Sequence, residues 1–112
     1  MQPIKNLFSN LEAYPDEVYE TLFTHGDVRI EKIVSWGQSS PEGFWYEQAE
    51  GEWVAVLAGE ACLTLQTPDE TVTLKQGDHL WIVPGRKHRV DWTLPDSATV
   101  WIAVFVKNVG AD

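Results

Sequence analysis

A carboxylate, an imidazole and a primary amide, those of Glu52, His88 and Gln48, stand in this chain among alternating apolar residues. Side chains in a strand alternate between two faces. In the run 44–48, Phe44, Tyr46 and Gln48 therefore share one face, with Trp45 and Glu47 on the other. Glu52 shares a face with Val54 and Val56, and His88 with Val90 and Trp92, whereas Arg89 and Asp91 point oppositely. The faces that carry Val and Trp are the expected inward ones. A buried carboxylate without a partner costs several kcal/mol, so Glu52 needs a cation, a proton or hydrogen-bond donors. His88 as an imidazolium can supply the charge, with Gln48 and Tyr46 adding hydrogen bonds. Such a set suits general acid–base work or the orientation of a small polar ligand. Its plainest alternative is a polar cluster that only satisfies itself.

The same residues suit a metal less well. Imidazole nitrogen binds borderline transition metals and carboxylate oxygen binds harder ones, but a neutral amide oxygen is a poor donor. Glu52 and His88 are two firm ligands, with Gln48 and water left to complete a shell, whereas catalytic zinc sites use three protein ligands. Other chemistry-bearing residues carry little signal. His25 precedes a Gly26-Asp27 turn, and His79 follows Gly77-Asp78 with parity opposite to the inward Leu80. Cys62, a lone cysteine, cannot form an internal disulfide and reads as a small buried apolar side chain.

The elements that must position these groups are short and β-rich. Runs at 18–24, 28–36, 43–48, 52–59, 60–67, 71–75, 79–84, 87–93 and 98–106 are separated by Gly, Pro, Asp and Ser clusters. Val, Thr, Ile and Trp dominate them, which predicts an all-β sandwich or barrel. Residues 1–13 read as an edge strand or a short helical turn.

With 112 residues and 44% hydrophobic content, the chain forms one domain, 1–112, with enough apolar area for a single core. Its charge of −9 and pI near 4.6 repel phosphate backbones and anionic lipid, which argues against nucleic-acid and membrane partners. No apolar run reaches the ~20 residues of a bilayer span. No signal-peptide pattern opens the sequence, and a cytoplasmic location is expected.

Two stretches together resemble the motifs of the cupin superfamily, small jelly-roll β-barrels. The first cupin motif reads G-x5-H-x-H-x3-4-E-x6-G. Here, within about 43–59, Tyr46-x-Gln48-x3-Glu52-x6-Gly59 keeps the spacing, the Glu and the last Gly, and replaces both histidines. The second reads G-x5-P-x-G-x2-H-x3-N. Within 77–92, Gly77, Gly85 and His88 are kept, Pro84 is displaced by one place, and Trp92 replaces the Asn.

The resemblance implies that Tyr46, Gln48, Glu52 and His88 converge inside the barrel, where relatives hold Fe, Mn, Ni, Zn or Cu. It implies Gln48, Glu52 and His88 as metal ligands, the ion being a weakly bound divalent one, and Glu52 and His88 as the catalytic pair. It also implies a small-molecule ligand contacted by Tyr46, Gln48, Trp92 and Arg86, with isomerase- or oxygenase-type chemistry. The alternative is a non-catalytic binding or sensing module with a metal-free pocket. Trp92 is expected to wall the pocket. The run "GRKHR" (85–89) is expected to bring Arg86, Lys87 and Arg89 to the barrel mouth and draw an anionic group there. Trp45, Trp53, Trp81 and Trp101 are expected in the core or at a subunit interface, and a homodimer is expected.

Overall fold

The computed structural model describes residues 3–109 and contains eight strands: β1 (Val18–His25), β2 (Val28–Ser35), β3 (Gly51–Ala58), β4 (Glu60–Leu65), β5 (Glu70–Lys75), β6 (His79–Ile82), β7 (His88–Thr93) and β8 (Thr99–Val106). They form a five-stranded sheet, β1-β2-β8-β3-β6, and a three-stranded sheet, β5-β4-β7, all pairs antiparallel. The two sheets face each other as a jelly-roll barrel. Among the described residues, no helix is long and apolar enough to cross a membrane.

Alternation fills the space between the sheets. Val54 and Val56 of β3, Ile82 of β6 and Trp101 of β8 meet Ala61, Leu63 and Leu65 of β4 and Leu74 of β5. Each fully buried aliphatic side chain contributes about 1.5–3 kcal/mol. The hairpin between β3 and β4 turns on Gly59, whose φ is +86°. A Cβ there would lie 2.6 Å from the Cα of Thr99, so conformation and close approach both require glycine.

Two expected elements are absent. Residues 43–48 are not a strand: a single bridge joins Tyr46 to His88. Pro41 lacks an N–H, and Phe44 N–H turns back to the Pro41 carbonyl (3.0 Å), so the segment pairs with β7 only at isolated points. Residues 3–13 hold neither strand nor helix; one turn, closed by Ser9 N–H to Asn6 O at 3.1 Å, interrupts an extended strap. Met1 and Gln2 lie outside the described residues. Side chains of the barrel pin the strap: Lys32 Nζ donates to Ser9 O (2.6 Å) and Trp36 Nε1 to Leu11 O (2.7 Å).

The outer face of the larger sheet carries an uninterrupted apolar row across all five strands. Register aligns Phe23 with Ile30, Ile30 with Val104, Val104 with Trp53 and Trp53 with Trp81. Of the tryptophans, only Trp101 reaches the buried core cluster; Trp81 and Trp92 are 40% and 39% exposed.

Candidate functional site

Glu52 enters the barrel near the start of β3, opposite Ile82 and Phe105, and His88 from the start of β7. The two meet with Nε2 to Oε1 at 3.3 Å, and both are buried. The opposite ring nitrogen, Nδ1, lies 3.1 Å from the carbonyl of Arg86, which can only accept, so Nδ1 carries a proton. The Nε2 edge therefore faces Glu52. Two lone pairs at that separation repel, so the pair requires a proton or another cation between its members.

Tyr46 fixes the imidazole plane. Its N–H donates to His88 O (2.8 Å), His88 N–H returns the bond to Tyr46 O (3.0 Å), and the two rings stack with centroids 5.4 Å apart. Phe44 packs edge-on against Tyr46 from outside. Gln48 lines the same cavity, and its Oε1 is buried with no hydrogen-bond partner. The cavity is about 230 Å³, opens to solvent on one side, and is floored by apolar groups including Val54, Leu63, Val90, Trp101 and Phe105.

Four of the residues picked from the sequence, Tyr46, Gln48, Glu52 and His88, thus line one cavity. Two do not. Trp92 points away from the cavity. Leu63 pairs with Val90 and Cys62 with Trp92, so Asp91 is an extra residue in β7. That bulge reverses the alternation set by His88 and Val90 and turns Trp92 outward. Arg86 turns away from the cavity, toward the β4–β5 turn. Its Nε donates to Gln66 O (2.9 Å), and its Nη2 to Pro68 O (2.7 Å) and Glu70 Oε1 (3.0 Å). It ties down the β4–β5 turn and does not line the cavity. Lys87 lines the same separate cleft as Arg86 and Glu47, while Arg89 pairs with Asp91 and donates to Ser40 O. The positive field expected at the barrel mouth is therefore directed elsewhere.

The mouth is built from residues that the strand alternation did not single out. β1 and β2 supply Tyr19, Arg29 and Glu31, and Glu17 stands just before β1. Tyr19 Oη–H donates to Glu17 Oε1 (3.0 Å); Ser35 Oγ donates to Glu17 Oε2, and accepts from Trp101 Nε1 (3.0 Å). Although Tyr19 is half exposed, partial burial of its hydroxyl, then a hydrogen bond with Tyr46 and the charge of Glu17, hold the phenol above its ordinary range. Arg29 spends its guanidinium on Glu31 and Glu50 and lies over the Phe105 ring. The signal for this wall was register: β1 and β2 place Tyr19 opposite Ile33 on the inward face.

A metal finds a short donor set. His88 Nε2 meets Glu52 Oε1, and Gln48, with its orphaned Oε1, lines the same cavity, but among the described residues no group of three His, Cys, Asp or Glu side chains is placed to hold an ion. Two firm donors and an amide do not fit a tightly held catalytic metal, which takes three protein ligands.

The chain belongs to the cupin family, whose cupin-domain model matches residues 34–105. A crystal structure of a protein from Ralstonia eutropha, described as a "putative mannose-6-phosphate isomerase", is 36% identical, with 95% of this chain and 99% of that one covered and a TM-score of 0.90. A cupin superfamily protein from Desulfitobacterium hafniense is 18% identical over 96% and 92% of the two chains, with a TM-score of 0.75. Hydroxypropylphosphonic acid epoxidase from S. wedmorenis is 17% identical over 80% of this chain and 50% of its own, with a TM-score of 0.66. The last two likenesses are of fold alone. No curated protein matches the sequence.

Proposed function

We propose that the barrel binds a small polar metabolite and that Glu52 and His88 act on it as a general acid–base pair, moving a proton as an isomerase does. The observation that carries this reading is the 3.3 Å contact between Nε2 and Oε1 inside an open cavity of ligand size. A carboxylate and an imidazole that share one proton can take it from a carbon or oxygen and return it to a neighbouring atom. Tyr46 keeps the imidazole edge aimed, and the apolar floor excludes water from the reacting atoms. The description of the Ralstonia protein supports isomerase-type chemistry. Its phosphorylated substrate is not carried over, because the basic residues of the 85–89 loop do not face this cavity.

A second reading is a binding module without catalysis. It is favoured by the replacement of both first-motif histidines by Tyr46 and Gln48. One experiment separates the two. Small hydroxy-carbonyl compounds are incubated with the protein in D₂O and followed by proton NMR. The enzyme reading expects solvent deuterium at a carbon-bound position, abolished by Glu52→Gln and by His88→Gln. Binding without any exchange, in a compound shown to occupy the cavity, leaves the binding module.

A further inference from the structure

Glu17 is a carboxylate at the cavity mouth that has no cation. Its donors are the neutral hydroxyls of Tyr19 and Ser35, and no Lys, Arg or His among the described residues pairs with it. The other two acids of the cavity differ. Glu31 is paired with Arg29 and Glu52 with His88. Arg29 is turned to Glu31 and Glu50, to which its three nitrogens donate, and is not paired with Glu17. A second unmatched acceptor faces the same space: Gln48 Oε1 is buried and receives no hydrogen bond. A carboxylate whose partners are neutral, and a buried carbonyl oxygen without a donor, are both satisfied by a donor that carries positive charge. Between them lies an apolar floor that accepts a hydrocarbon or aromatic body.

We infer that the cavity selects ligands bearing an organic ammonium group, which Glu17 binds at the mouth, and that it rejects carboxylates and phosphates. Tyr19 and Ser35 are positioning residues in this arrangement. Each commits its proton to Glu17, leaving the outer lone pairs of the carboxylate for the ligand. The whole chain, at −9, adds a field of the same sign. This inference rests on the reading of the barrel as a ligand cavity.

The test uses one body with three charges: benzylammonium, benzyl alcohol and benzoate, titrated into the full chain at low ionic strength and followed by saturation-transfer NMR. The expected order is ammonium first, at least about tenfold tighter than the alcohol, with benzoate weakest. In Glu17→Gln the ammonium and the alcohol should bind within about twofold of each other. Benzoate binding as tightly as benzylammonium, or a preference undiminished in Glu17→Gln, overturns the inference and leaves the cavity reading intact. The wild-type series stands even if that variant does not fold. If none of the three binds, the cavity reading itself falls, and this inference with it.

Discussion

Tyr46 and His88 hold each other twice, through a reciprocal pair of backbone hydrogen bonds and through stacked rings 5.4 Å apart. The backbone pair survives most substitutions at Tyr46; the ring contact does not. Tyr46→Phe keeps the stack and should leave His88 aimed at Glu52. Tyr46→Ala should free the imidazole, lower any Glu52- and His88-dependent activity by an order of magnitude or more, and broaden the His88 ring signals. NMR of the imidazole protons in both variants checks this, and equal spectra in the two would refute it.

Glu52 and His88 are coupled. Removing one strands the other in a buried setting, at about 1–3 kcal/mol. Glu52→Gln and His88→Gln should each lose stability of this order, and the double variant should lose less than the sum. A double-mutant cycle by urea unfolding measures it. Strictly additive losses, with and without added divalent metal, mean that the two side chains do not interact.

Any divalent ion in the cavity should exchange readily. Untagged protein, chelated and then desalted, is expected to carry less than stoichiometric metal by elemental analysis. One equivalent that survives prolonged chelation would mean a further ligand. Glu47 is not that ligand, since it lines the separate cleft with Arg86.

Burial, first of all, pushes the Cys62 thiol up, with Asp91 adding to it and a hydrogen bond with Thr73 opposing it. At neutral pH the folded and unfolded chains both keep this proton, so Cys62 contributes no pH dependence. Above about pH 8.5, where an unfolded thiol ionises, only the unfolded chain releases it, and folding stability falls as pH rises. For one group the slope is at most about 1.4 kcal/mol per pH unit. Cys62→Ala should flatten the decline in urea stability between about pH 8.5 and 10, relative to its own value at pH 7. The same slope in variant and wild type would exclude Cys62 as its source.

The apolar row from Phe23 to Trp81 is too continuous to suit an isolated sheet face. A second copy of the chain is the expected cover, because this row bears no formal charge on a chain of −9. Sedimentation at micromolar concentration should show a dimer, and Val104→Glu should convert it to monomer. A wild-type chain that sediments at 12.7 kDa contradicts the expectation.

The cupin architecture could be read from the residues because alternation and turn chemistry are local. Gly59, Gly77 and Gly85 mark the turns, and Val54, Val56, Leu63 and Leu65 mark the inward face. The pair Glu52 and His88 followed from the same parity joined to the motif spacing. What escaped was what depends on non-local geometry. Parity failed at Trp92 because β7 gains a residue at Asp91, a bulge that only the pairing with β4 reveals. Arg86 misled because its carbonyl meets the His88 ring while its guanidinium turns the other way, to carbonyls at Gln66 and Pro68. Glu17 gave no local signal, and enters the cavity only because β1 pairs with β2.

That pairing gives the protein two grades of rigidity. The floor of the cavity rests on β3, β4 and β8, strands paired on both sides and largely buried. Its mouth hangs on β1, an edge strand exposed along all eight residues and bonded only to β2. Opening free energies follow burial and pairing, so β1 is the part of the barrel that breathes first. Tyr19 and Glu17 travel with it. Amide exchange should be fast along Val18–His25 and slow along Val54–Val56, and ligand bound at the mouth should slow the first without changing the second. The wall that chooses the ligand is thus also the gate that admits it.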